Sequence, residues 1–259
     1  MNKKCLYCYL PLEEGQMDFH VDCAMGFFGC ESAPSCVADL GEQYLIKKAE
    51  QGVYTPALEA VTMRLAQAAL ILTVSNTLFR DDEGELIFLA KEDKTAERLD
   101  KFIEGLDGCV FDGSVEMIAE LVEDFSSISR LDLVTFYEQL IFGWVVGCSS
   151  MSLSSFAFSR PNAGVCSLSA IYDLYPVLPA TEEELSLEIN GKRKNIRRSD
   201  FEAPMKFMGL KDRIIRITIE KLLKAKEQWS EIIQRSELSE ELKRAYFSQI
   251  SSRLKILER

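Results

Sequence analysis

Apolar residues recur at helical spacing over most of this chain and alternate over two short stretches. Across residues 131–146, Leu133, Phe136, Leu140, Ile141, Trp144 and Val145 cover most of a helical circumference, which predicts a helix buried on nearly all sides. Its polar exceptions are Glu138 and Gln139, and a buried Glu138 requires a cation or a backbone amide beside it. Amphipathic patterns predict further helices over residues 38–51 and 94–105, and from Pro56 onward with Leu58, Val61, Leu65 and Ala68 on one face. Residues 114–125 read as a helix with Ser114 as N-cap and Met117, Ile118, Leu121 and Val122 turned inward. Ser199 reads as the cap of a helix starting at Asp200, with Glu202 as its capping-box partner. Two long helices over residues 211–235 and 239–257 close the chain, the second with Ser239 as N-cap and Glu240 and Glu241 at the positive end of its dipole. Residues 73–79 and 85–89 alternate as two strands joined by Asp81-Asp82-Glu83-Gly84, and Asn190-Gly191 predicts a type I′ turn in a hairpin of 185–189 with 192–196.

These elements predict an α+β, mainly helical chain. Its 259 residues fit one large domain or two modest ones, and 47% apolar with 27% charged residues is ordinary for a soluble globular protein. A formal charge of −11 argues against general affinity for nucleic acid or anionic lipid. The longest apolar run, residues 140–148, falls far short of the roughly 18–20 residues of a membrane span, and the first five residues lack the apolar stretch of a signal peptide. The expected location is cytoplasmic, where the eight cysteines serve as thiols or metal ligands rather than disulfides.

Four residues near the start have metal-ligand spacing. Cys5-x2-Cys8 and His20-x2-Cys23 are two chelating pairs on tight turns, suited to one tetrahedral Zn²⁺. Four protein ligands leave no position for an activated water, so such a site is structural. Buried thiols beside a surface histidine are the other reading of the same residues. Cys30, Cys36, Cys109 and Cys166 fall outside the spacing and read as small buried residues.

After the central apolar helix comes Gly147-Cys148-Ser149-Ser150-Met151-Ser152-Leu153-Ser154-Ser155-Phe156, then a short strand-like run, then Leu168-Ser169-Ala170-Ile171-Tyr172-Asp173-Leu174. Helix, loop, strand and a later isolated acid is the layout of a kinase catalytic core. The chain resembles the HipA family of bacterial serine/threonine kinases, the toxins of toxin–antitoxin pairs. The likeness is to the short form that opens on Cys-x2-Cys and Asp-Phe-His-x2-Cys, here Asp18-Phe19-His20. That family's loop reads roughly Gly-Asn-x-Asp-x-His-x-Lys-Asn-Phe, followed by Leu-Thr-Pro-x-Tyr-Asp-Leu. Gly147 and Phe156 match its ends. Ser150 stands in the place of the catalytic Asp, Ser155 in that of the metal-binding Asn, and Cys148, Ser152 and Ser154 where the family has Asn, His and Lys. Asp173 alone survives, as the second metal ligand. The resemblance continues through Glu183-Glu184-Leu185, Asn190-Gly191-Lys192 and Arg198-Ser199-Asp200-Phe201-Glu202.

The resemblance implies a degenerate HipA-like, protein-kinase-like fold: a zinc knuckle over residues 1–36, a reduced N-lobe over 37–110 and a helical C-lobe over 111–259. A serine at position 150 cannot take a proton as a carboxylate does, and Ser155 is a weak neutral ligand for Mg²⁺. No G-x-G-x-x-G or G-x-x-x-x-G-K-[ST] occurs, and no Val-Ala-Ile-Lys-like strand precedes residue 70, so the phosphate cradle is expected to be missing. Lys91 is either a substitute phosphate ligand near the inter-lobe hinge or a solvated charge among Glu92, Asp93 and Lys94. No catalytic residue is expected, Asp173 is a remnant Mg²⁺ ligand, Zn²⁺ is the expected cofactor, and the losses speak against ATP with Mg²⁺. The expected function is that of an inactive pseudokinase serving as a regulatory or protein-interaction platform near toxin–antitoxin genes. Its partner is a helix-turn-helix antitoxin or an active HipA-like kinase, with no direct nucleic acid and no membrane. Two other readings stay open: a residual kinase or nucleotide-binding protein using Asp173, Lys91 and Glu138, and a zinc-knuckle module acting on protein or RNA. The basic cluster Lys192, Arg193, Lys194, Arg197 and Arg198 lacks the interleaved aromatics of a single-strand binding surface.

Overall fold

A computed structural model describes residues 3–51, 54–102, 113–160, 164–178 and 182–259. The alternating stretches form β2 (Asn76–Arg80) and β3 (Leu86–Lys91), paired antiparallel around the expected turn, where Gly84 takes φ +83° and Asp81 accepts the Glu83 and Glu85 amides. The first of them begins at Asn76 rather than Thr73. β3 is central in this sheet because β1 (Tyr44–Lys47) pairs along its other edge, with Lys47 opposite Phe88.

That strand replaces most of the helix expected over 38–51; only a 3₁₀ turn, Val37–Asp39, precedes it. Tyr44, Leu45 and Ile46 are consecutive apolar residues without helical spacing, and the open edge of β3 offers their backbone a full ladder. The helix expected over 94–105 is also corrected. Asp93 accepts the Thr95 amide in a turn, then β4 (Ala96–Arg98) and a 3₁₀ turn (Leu99–Phe102) follow; residues 103–105 lie outside the described residues. β4 forms a second antiparallel sheet with β5 (Ala157–Ser159) and β6 (Ser167–Leu168).

The other predicted helices form, and one that the pattern did not predict, α1 (Val21–Phe28), joins them. It follows the cysteine pair, and α2 (Pro56–Ala68) packs between the first sheet and α6 (Asp212–Arg235), which buries it on most sides. α3 (Val115–Phe125) starts on Ser114, whose hydroxyl accepts the Met117 amide at 3.1 Å, and α7 (Glu240–Leu257) starts on Ser239 in the same manner at 3.3 Å. α5 (Arg198–Phe207) begins two residues earlier than expected. The Asp200 carboxylate accepts the Arg197 amide at 2.9 Å, so Asp200 closes the cap and Ser199 lies inside the helix. Asn190 and Gly191 take the positive φ of a type I′ turn, and Ile189 bridges Lys192.

The core centres on α4 (Ser129–Val146), which touches α3, α5, α6 and α7. Its six expected apolar positions are fully buried, and Lys221 meets Glu138 at 2.7 Å, the cation its burial requires. Gln139 donates to the carbonyls of Leu72 and Ser169. Cys30 is exposed and Cys36 and Cys166 are half-buried, against the expectation of buried thiols; Cys109 lies outside the described residues. No described helix is long and apolar enough to cross a membrane.

α4 ends on Gly147 at φ +96°, and a Cβ there would collide with the Gln249 side chain, which donates to the Val146 carbonyl at 3.2 Å. Replacing Gly147 with alanine therefore combines left-handed strain with a lost tether. Urea denaturation of the Gly147→Ala variant should show a loss of about 1–3 kcal/mol, and an unchanged midpoint would contradict this packing.

Candidate functional site

Three elements bring charged side chains to one point. β1 ends on Lys47, the first turn of α2 carries Glu59, and the segment after β6 carries Asp173. Lys47 Nζ lies 2.7 Å from Glu59 Oε1 and 3.0 Å from Asp173 Oδ1. Glu59 is fully buried, whereas half of the Asp173 side chain is exposed. The second Glu59 oxygen accepts the Tyr54 hydroxyl. Tyr54 packs on Tyr175 at a centroid distance of 4.9 Å, and the Tyr175 hydroxyl accepts the amide of Thr55, the residue that caps α2. The Lys47 ammonium also lies over the rings of Tyr54 and Phe88.

These contacts set the ionisation of the cluster. Burial alone would lower the Lys47 pKa, but the Glu59 and Asp173 carboxylates outweigh it and the pKa is raised. Burial is the largest influence on Glu59 and pushes its carboxyl up, with the Lys47 ammonium and the Tyr54 hydroxyl pulling the other way. Asp173 is positioned by its neighbours: Val74 donates to Ile171 and Ile171 donates to Leu72, each at 3.0 Å, which docks the segment before Asp173 beside the start of β2.

A lysine at the end of a sheet strand, paired with a helix glutamate and facing an isolated aspartate, has the form of the Lys–Glu pair and metal-binding Asp of a protein kinase. Where no strand carrying a lysine was expected before residue 70, the structure has one, Tyr44–Lys47, in place of the expected helix. The sequence carried two signals of it. Glu59 is the one acid in the apolar turn Pro56 to Met63, and Lys47 ends a run of apolar residues.

Beside the cluster, β1, the chain after β3 and the Tyr172 segment enclose a cavity of about 230 Å³ with Leu45, Ala90, Glu92, Ala157 and Tyr172 among its walls. It falls below the roughly 300–1,000 Å³ of small-molecule sites. The backbone amides of Lys91 and Glu92 already donate to Ser75 and Gln43, at 2.8 and 2.9 Å. Lys91 is half-buried with its ammonium over the Phe27 ring, a third outcome besides phosphate ligand or solvated charge.

The loop after α4 is closed on itself. Ser155 Oγ accepts the Ser152 amide at 3.1 Å, the Ser152 and Ser154 hydroxyls share a hydrogen bond at 2.9 Å, and Tyr172 donates to the Ser154 carbonyl. Ser150 is exposed; Cys148 is buried and its thiol pKa is pushed well up by that burial. Met151 is buried against Gly143, where an added Cβ would collide with its sulfur.

Cys5, Cys8, His20 and Cys23 are brought together, their ligand atoms within 4.8 Å of one another. Cys5 and Cys8 share a turn closed by the Tyr9 amide on the Cys5 carbonyl, and His20 caps α1, whose first turn carries Cys23. His20 Nδ1 faces the Cys8 and Cys23 sulfurs at 3.3 and 3.8 Å, while Nε2 bonds the Pro11 carbonyl at 2.9 Å. Tetrahedral Zn²⁺ sets sulfur–nitrogen edges of roughly 3.5 Å, and ligating histidines typically donate their other nitrogen to such a carbonyl. Burial, then the neighbouring sulfurs of Cys5 and Cys8, push the Cys23 thiol up to about 12; a bound divalent cation would reverse that. The residues fit the ion.

Residues 23–230 match the family model described as HipA-like C-terminal domain. Among solved structures, the chain is similar to HipA of Shewanella oneidensis MR-1, from a complex with HipB and operator DNA, with a TM-score of 0.66 and 14% identity over 83% of this chain and 58% of that one. It is also similar to the Helicobacter pylori proinflammatory kinase CtkA, with a TM-score of 0.62 and 12% identity over 82% of this chain and 86% of that one. At these identities the likeness is one of fold, and this chain spans only 58% of the HipA structure. A search of curated proteins gives no match.

Removing the Glu59 carboxylate leaves Lys47 half-buried with Asp173 as its remaining counter-ion. The Glu59→Ala variant should lose about 2 kcal/mol in urea denaturation, whereas Asp173→Ala, at the exposed end of the cluster, should lose under about 1 kcal/mol. The reverse order would contradict the geometry.

Proposed function

We propose that this chain, which belongs to the family of HipA-like C-terminal domains, no longer transfers phosphate and acts as a regulatory, protein-binding platform on a kinase-like fold. One observation carries the reading. The loop that should supply base and metal ligand holds Ser150 and Ser155, and Ser155 is spent on capping its own loop. Phosphoryl transfer needs an oriented acceptor and metal ions held on the phosphates, and neither serine supplies a carboxylate or an amide oxygen for those tasks. The small cavity and the occupied amides of Lys91 and Glu92 support the same reading.

Lys47, Glu59 and Asp173 favour a second reading. They are the surviving cation, its partner and one metal ligand, and together they could still hold nucleotide phosphates with Mg²⁺ without turnover. A melting experiment with Mg–ATP separates the two, because any ligand of the folded state raises its stability, by about 2.7 kcal/mol at a hundredfold excess over Kd. No shift at millimolar nucleotide is expected. A shift that disappears in Lys47→Met would transfer the assignment to the second reading.

HipA of Shewanella oneidensis is found with HipB and operator DNA, and by analogy the partner here is an antitoxin-like helix-turn-helix protein or an active HipA-like kinase. A charge of −11 argues against direct contact with nucleic acid. Residues 1–36 form a knuckle in which Cys5, Cys8, His20 and Cys23 hold a structural Zn²⁺, residues 37–110 a reduced N-lobe and 111–259 a C-lobe. Metal analysis of the purified chain should give one zinc per molecule. Loss of that zinc and a lowered melting temperature are expected for Cys5→Ser with Cys8→Ser; a metal-free native protein of unchanged stability would remove the site.

A further inference from the structure

The kinase-like site leaves the basic cluster Lys192 to Arg198, and Ser199 beside it, without a role. Asp200 takes the cap of α5 from Ser199, so the serine is exposed in the first turn of that helix. No described residue hydrogen-bonds its hydroxyl. Ser199 lines a cavity of about 840 Å³ between the start of α5 and the last turn of α7, with Arg197, Arg198 and Arg259 among its walls and Ile196 and Ile256 as its apolar part. That volume lies within the roughly 300–1,000 Å³ of small-molecule sites.

The three guanidinium groups share this cavity with two carboxylates, Glu184 and Glu202, and both carboxylates are engaged. Glu184 accepts the Trp144 indole N–H with one oxygen and the Asn195 amide with the other, each at 2.8 Å. Glu202 holds Arg198 at 2.7 Å, and Arg198 also donates to the Leu257 carbonyl at 3.0 Å. Arg197 and Arg259 are exposed and meet no described carboxylate within ion-pair distance. Asp200, beside Arg197, already pairs with Lys192 at 2.7 Å. Two uncompensated cations in one cavity, on a chain of charge −11, call for an anion. Two monocations and a hydroxyl match a dianion, and the planar fork of arginine fits phosphate oxygens. Because Asp200 already accepts the Arg197 amide, the guanidiniums rather than the helix end carry the site.

We propose that this cavity binds a small phosphate monoester, its phosphate on Arg197, Arg259 and Ser199 and its organic part on Ile256. The site shares no residue with Lys47, Glu59 or Asp173 and is independent of whether the chain holds nucleotide there. Thermal melting of the full chain in magnesium-free buffer tests it, with inorganic phosphate and glycerol phosphate as probes and sodium chloride of equal ionic strength as the blank. Both phosphates should raise the Tm saturably, as a ligand of the folded state must. Arg197→Ala and Arg259→Ala, at exposed positions without an ion pair, should keep the ligand-free Tm. Each should bind the phosphates at least about tenfold more weakly, the loss of a charge-assisted hydrogen bond. Arg244→Ala, which removes an exposed cation of α7 outside the cavity, and Asp173→Ala should both respond as the wild type. No rise beyond that in chloride, an unchanged affinity in both arginine variants, or a rise given by a short duplex DNA and by neither phosphate would each overturn the proposal.

Discussion

Glu59 is a fully buried carboxylate in the first turn of a helix enclosed on most sides, and its burial constrains everything around it. An unpaired charge there would cost several kcal/mol, so a cation and a second donor must be delivered to it. Lys47 and Tyr54 meet that need, at 2.7 Å and through the tyrosine hydroxyl. Satisfying one side chain therefore requires β1 to lie along β3, α2 to lie on the sheet, and the chain between them to fold back over the pair. Asp173, reached only after α4 and β6, closes the arrangement from the other half of the molecule, so a local ion pair links distant parts of the sequence.

On the proposed reading, the same cluster lets a kinase-like shell stand whatever the loop after α4 carries. Lys47, Glu59 and Asp173 are held by burial, rings and one another, and removing Lys47 leaves the buried Glu59 carboxylate without its cation. The serines of the loop after α4 satisfy their own backbone and hydroxyls without help from a ligand. The Lys47–Glu59 pair thus contributes to stability under any function, whereas a carboxylate at position 150 would sit on an exposed loop and contribute only to chemistry. On the proposed reading, structure and activity have come apart at that boundary.

Elements whose pattern is strong and local were legible in the sequence. The apolar circumference of α4, the serine caps of α3 and α7, the β2–β3 turn and the four knuckle residues each carry their own signal. What was not legible depends on a distant partner. Residues 44–47 become a strand only because β3 offers an open edge, and residues 96–98 only because β5 arrives from sixty residues later. Misreading β1 as a helix hid Lys47, and with it the pairing to Glu59 and Asp173. At α5 the error was local: Asp200, three residues after Arg197, captured the cap ahead of Ser199.

The central claim is that a kinase-like fold with its Lys47–Glu59–Asp173 cluster assembled carries a loop unable to transfer phosphate. Intact-mass spectrometry of the purified chain after prolonged incubation with Mg–ATP and a generic serine/threonine protein substrate tests it most directly. The account predicts both proteins at their unmodified masses, whereas stoichiometric addition of phosphate to either, lost in Asp173→Ala, would contradict it.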